Sequence, residues 1–205
     1  HLIGSRSLVW NLAKNDIKKK FAGSYFGVVW AFVQPVITVL LYWFVFEKGL
    51  NSKATDLRTG IEIPFVLWLT AGLVPWFYFQ EALNGGTGVL VEYSYLVKKV
   101  VFQIDMLPVV KMISALFTHL FFVAFTIVLF ICMGYMPDWY ALQVVYYSFC
   151  MILFATGLVY ATSAVTVFFR DMKEVVGILL QIGMWVTPIM WNFETMVQIP
   201  GWAIA

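Results

Sequence analysis

Five stretches of this chain run for 18 residues or more without an Asp, Glu, Lys or Arg: 21–46, 63–80, 112–137, 139–169 and 175–193. A helix rising 1.5 Å per residue needs roughly 20 apolar residues to cross the hydrocarbon core of a bilayer, so each stretch is long enough for a span or close to it. In lipid every backbone polar group has to be satisfied internally, which leaves only helices and closed barrels. A membrane barrel would alternate over segments of about ten residues, whereas runs such as 36–46 and 116–133 show no alternation. Only 12% of the 205 residues are charged and 62% are hydrophobic, against about 25% charged in a soluble domain. A soluble enzyme is excluded.

The expected fold is therefore an all-α integral membrane protein forming one domain over 1–205. Spans are expected near 26–46, 64–82, 112–134, 139–168 and 175–192, with a sixth beyond the residues given. Residues 5–21 plot as an interfacial amphipathic helix, with Val9, Trp10, Ala13, Ile17 and Phe21 on one arc and Asn11, Lys14, Asn15 and Lys18 on the other. Leu8, Leu12 and Lys20 break that pattern. Pro35, Pro64, Pro75, Pro108 and Pro188 fall in or beside the spans, and Pro188 is the expected kink.

Cytoplasmic flanks accumulate Lys and Arg. Placing the N-terminus inside puts ten of the 13 basic residues on the cytoplasmic side and only Lys48, Lys53 and Arg58 outside. Segment 84–111 is then a large cytoplasmic piece, opening on the Gly-rich, flexible-looking Asn84-Gly85-Gly86-Thr87-Gly88. A short helix across the membrane face there could receive a push from a cytoplasmic partner.

Catalytic chemistry is hard to assemble from these residues. A phosphate-cradling loop wants Gly, four residues, then Gly-Lys-Ser/Thr, and Gly88 is followed by Val89-Leu90. No ATP hydrolysis is expected in this chain, and no cofactor. Two histidines, His1 and His119, with no carboxylate one turn away argue against a metal site. His119 is expected to be hydrogen-bonded within the bundle. Glu81, at the inner end of the second span, is the one carboxylate placed for ion-coupled transport. Arg170 and Asp171 are expected to pair at the turn between spans four and five, with Asp171 or Glu174 capping the next helix.

Asn15-Asp16-Ile17-Lys18-Lys19-Lys20-Phe21, Gly23-Ser24-Tyr25-Phe26-Gly27-Val28-Val29-Trp30 and Gln34-Pro35 open a pattern that continues along the chain. It runs through Ala71-Gly72-Leu73-Val74-Pro75-Trp76-Phe77 and Leu96-Val97-Lys98-Lys99-Val100-Val101-Phe102, then Phe169-Arg170-Asp171-Met172 and Thr187-Pro188-Ile189-Met190-Trp191. In this order the blocks resemble the permease subunits of ATP-binding-cassette polysaccharide exporters, the O-antigen, capsule and teichoic-acid transport permeases. One departure is Phe102-Gln103, where that family often has Phe-Pro.

The resemblance implies a homodimer in a bacterial cytoplasmic membrane, working with two copies of a separate ATPase that binds ATP and Mg. It implies a substrate linked to polyprenyl diphosphate, with membrane lipid as surroundings and no nucleic-acid partner. It also implies contact with the ATPase through the amphipathic N-terminal helix and through a cytoplasmic coupling segment, 92–108, carried by Tyr93, Tyr95, Leu96, Lys98, Lys99, Phe102 and Gln103. Arg6, Lys14, Lys18, Lys19 and Lys20 are candidates to attract the diphosphate. Trp30, Trp43, Trp76, Trp185 and Trp191 are candidate path residues, because flat aromatic faces pack against sugar rings. The alternatives are an ion-coupled transporter or channel, and an intramembrane enzyme acting on a lipid-linked substrate.

Overall fold

The computed structural model describes residues 2–20, 23–49, 54–55, 62–94 and 104–191, the side chains of 2–8, 20, 28 and 54–55 excepted. The described residues are almost entirely helical. Helix α1 (Leu2–Lys20) leads through a short 3-10 turn into α2 (Trp30–Trp43), which continues as a π-helical segment, Phe44–Gly49. Two short strands, β1 (Ala54–Thr55) and β2 (Glu62–Ile63), pair antiparallel with Ala54 opposite Ile63. They are followed by α3 (Phe65–Thr87), α4 (Val89–Glu92), α5 (Met106–Cys132), α6 (Gln143–Phe168) and α7 (Met172–Val186).

Three helical stretches among the described residues are long and apolar enough to cross a membrane: Trp30–Gly49, Met106–Cys132 and Trp139–Phe168. With the helical content this makes the chain an all-α membrane protein. Helix α3 is long but carries more polar residues, and its position explains why. It packs against α2, α5, α6 and α7 at once, so its polar groups meet protein rather than lipid.

Small residues set how closely these helices approach, as is common inside membranes. Ala82 of α3, Ala115 of α5 and Ala155 of α6 meet in one buried cluster with Tyr78, Val159, Val176 and Leu180. A Cβ built on Gly86 would lie 2.4 Å from Val159 Cγ1, and one on Gly183 would lie 2.9 Å from the Trp76 ring. The Gly-rich stretch expected to be flexible is thus the last turn of α3, which runs to Thr87. Its glycine is used for close helix contact.

A second cluster gathers Val39, Phe65, Leu69, Leu73, Ile189 and Met190 at the other end of α3. Here Pro188 does not kink a span. Helix α7 stops at Val186, and Thr187 turns extended (φ −73°, ψ 132°), as the residue before a proline prefers. At the start of α7, Asp171 occupies the N-cap position without a side-chain cap bond, and among the described residues no ion pair joins it to Arg170.

Candidate functional site

Helix α1 does more than lie on a surface. Val9 and Ala13 are buried against Val110 of α5, with Leu12, one of the residues off the sequence pattern, packed on the same cluster. Ala13 is small enough for its carbonyl to accept a hydrogen bond from Ser114 Oγ at 3.2 Å. Trp10 remains half exposed beneath Lys14, whose Nζ sits 5.4 Å from the ring centroid.

One turn further, Asp16 is 8% exposed and anchors a polar knot between three elements. Lys111 Nζ of α5 donates to Asp16 Oδ1 at 2.6 Å, and Tyr93 Oη, just past α4, donates to the same oxygen at 2.9 Å. Lys111 also pairs with Glu92 at 3.1 Å. The ammonium groups of Lys19 and Lys111 each lie 5.5 Å from the Tyr93 ring centroid. A buried charge is tolerated only when paired and hydrogen-bonded, and here a single carboxylate serves α1, α4 and α5 together.

Above this knot a cavity of about 670 Å³ enters the bundle between α1, α2, α3 and α5. Asp16, Lys19, Glu92, Lys111 and Lys173 stand at the α1 face, and Gln34, Thr38, Tyr78, Glu81, Asn84, Thr118 and His119 line the wall. His119 follows Lys111 by eight residues on one helix, so it lies about 12 Å deeper. Its Nε2 is 3.2 Å from Ser148 Oγ of α6, the intrabundle bond expected for it. Its Nδ1 has the Val74 carbonyl as polar neighbour but no hydrogen bond of good geometry. Tyr78 Oη, buried beside it with ring centroids 5.1 Å apart, has no hydrogen-bond partner among the described residues. Ser114 and His119, five residues apart, nonetheless line the same cavity.

Of the expected basic residues, Lys19 lines the cavity, whereas Lys14 and Lys18 are exposed on α1. The side chains of Arg6 and Lys20 lie outside the described residues, as do Tyr95, Leu96, Lys98, Lys99, Phe102 and Gln103. Tyr93 is the described member of the docking set, and it faces inward to Asp16. The five tryptophans do not converge. Trp30 and Trp43 stand at opposite ends of α2, and Trp43 donates to Glu47 Oε2 at 2.7 Å. Trp76 fills the α3–α7 contact over Gly183, Trp185 is exposed on α7, and Trp191 Nε1 donates to the Trp185 carbonyl at 3.0 Å. None of the five lines the cavity.

Asp16, Lys111, Tyr78 and Thr38 were not singled out by sequence reasoning. A lysine near the start of a long apolar helix is a detectable signal for a buried pair, yet nothing local names its partner. Among the described residues no group of His, Cys, Asp and Glu could hold a metal ion.

The described helices thus form a membrane bundle around α3, with a cavity of mixed polar and apolar lining beside it. Residues 7–205 match the model of the family described as ABC-2 type transporter, and the chain belongs to that family. It is 25% identical over 190 residues to the O-antigen export system permease protein RfbA of Myxococcus xanthus, covering 93% of this chain and 70% of that protein. A Klebsiella pneumoniae protein of the same name is 22% identical over 197 residues, covering 94% and 72%. The chain is thus the permease type of subunit of an ABC transporter.

Proposed function

We propose that this chain is the membrane-spanning subunit of an ATP-driven exporter that carries a polyprenyl-diphosphate-linked polysaccharide, O-antigen-like or teichoic-acid-like, from the cytoplasmic to the outer face of a bacterial inner membrane. The observation that carries this reading is the family match over nearly the whole chain, with relatives named for O-antigen export. A charged, sugar-bearing headgroup cannot cross hydrocarbon unaided. Two copies of the chain form the pathway, and two copies of a separate cytoplasmic ATPase bind the ATP and Mg.

In this reading the N-terminus is cytoplasmic, so the α1 face with its knot lies on the ATPase side. The ATPase docks on the segment from Tyr93 to Gln103. Movement there reaches α1 and α5 directly, because Tyr93 and Lys111 both hold Asp16. Lys14, Lys18 and Lys19, with Arg6 and Lys20, gather diphosphate headgroups at the membrane surface, and the exposed tryptophans offer flat faces to sugars.

Copurification in detergent tests this reading, followed by an ATPase assay with and without lipid-linked glycan extracted from the expressing cells. A stoichiometric ATPase whose turnover responds to the glycan is expected. A homogeneous permease that brings no nucleotide-binding subunit would overturn it.

A further inference from the structure

The cavity beside α3 is not explained by packing. Helix interiors in lipid satisfy their polar groups with neighbouring helices because no water is available, yet Tyr78 keeps an unpartnered hydroxyl while 2% exposed, and it lines this cavity. A phenylalanine would serve the surrounding cluster of Ala82, Ala115 and Val159 equally well. Packing alone leaves that enclosed hydroxyl unaccounted for.

The lining narrows what that is. Its charged residues are three lysines, Lys19, Lys111 and Lys173, and three carboxylates, Asp16, Glu81 and Glu92. Among the described residues these balance, and Lys111 is already held by Asp16 and Glu92, so the described lining carries no excess charge for an ion. Apart from Glu81, the wall above them carries neutral donors and acceptors: Gln34, Thr38, Tyr78, Asn84, Thr118 and His119. The rings of Phe77 and Phe122 add apolar faces. Amides and hydroxyls beside aromatic rings, without net charge, suit a hydroxyl-rich neutral ring. About 670 Å³ is within the usual range of about 300–1,000 Å³ for small-ligand sites.

We infer that this cavity, lying within a single protomer, binds one sugar residue of the lipid-linked glycan, with Tyr78 at its inner end turning its enclosed hydroxyl to hydrogen-bond that sugar. The inference rests on the exporter reading and adds to it a glycan-recognition pocket distinct from the surface lysines and tryptophans.

The test uses the full-length permease with its ATPase in vesicles, Cys132 and Cys150 replaced by Ser and Thr38→Cys introduced in the cavity wall. Labelling of that cysteine by a water-soluble methanethiosulfonate reagent is measured with lipid-linked glycan extracted from the expressing cells, and with undecaprenyl diphosphate carrying no sugar. Protection by the glycan lipid alone is expected. Tyr78→Phe should weaken that protection about fivefold, the effect of one lost hydrogen bond, while leaving the thermal midpoint unchanged or raised, since an unpartnered buried hydroxyl is removed. Equal protection by bare undecaprenyl diphosphate would overturn the inference, as would protection indifferent to Tyr78→Phe. Export is measured in the same vesicles: export without protection overturns the pocket alone, and absence of both overturns the exporter reading with it.

Discussion

At the scale of single residues, two positions decide more than their side chains suggest. Gly86 is a contact residue, since any Cβ there runs into Val159 Cγ1 and Cγ2 at 2.4 and 2.9 Å. Gly86→Ala should destabilise the α3–α6 contact by about 1–3 kcal/mol, the usual cost of overpacking, lowering the thermal midpoint in detergent. Adding Val159→Ala should recover part of the loss. Asp16 is the second. Asp16→Asn or Lys111→Met alone leaves a largely buried partner uncompensated, side chains of the pair being 10% and 12% exposed. Each should cost about 3 kcal/mol, the low end for a broken buried pair, because Lys111 keeps Glu92 in the first variant and Asp16 keeps the Tyr93 hydroxyl in the second. The double variant should cost less than the sum, which a double-mutant cycle from chemical unfolding reads directly.

At the scale of elements, α1 is held by a narrow seam rather than by a broad apolar face. Among its described side chains those buried are Val9, Ala13 and Asp16, while Trp10, Lys14 and Lys18 stay exposed. Ala13→Leu would wedge α1 from α5 at the point where Ser114 bonds the Ala13 carbonyl. Trypsin cleavage after Lys18 and Lys19 should then rise several-fold while α3, α5 and α6 remain resistant. If cleavage stays at the parent level, α1 is not held by that seam. Helix α7 shows the reverse case, an element shorter than its apolar run. Its 15 residues reach about 22 Å against the roughly 30 Å of a hydrocarbon core, and Ile189 and Met190 continue as an irregular turn buried on Phe65 and Leu69. Irregular backbone at such depth is tolerated where protein surrounds it.

For the whole molecule, the outer skin is apolar. Tyr146, Tyr147, Phe149, Leu153 and Phe154 of α6, with Phe117, Leu120 and Val128 of α5, are exposed, as a bundle surrounded by lipid requires. The distribution of lysines then sets sidedness. In a background lacking Cys132 and Cys150, Lys48→Cys should react with an impermeant maleimide in intact cells. Lys14→Cys should react only after permeabilisation. The opposite pattern would invert the topology and with it the side on which the cavity opens.

The helical nature of the long apolar segments and the basic character of α1 were legible in the residues, because a charge-free run of about 20 residues in lipid leaves the backbone almost no other choice. So was the expectation that His119 would find a partner inside the bundle, although Ser148 could not be named. The rest depended on how the helices rotate and approach one another. Asp16 and Lys111 are 95 residues apart in sequence, and no local pattern pairs them. Gly86 reads as flexibility until Val159 is placed against it, and Pro188 reads as a kink until α7 is seen to stop before it. Tyr78 reads as one aromatic among many until its hydroxyl is found unpartnered at a cavity. Membrane insertion follows from properties each segment carries alone, whereas contacts, cavities and buried pairs exist only between segments, and so only the tertiary structure decides them.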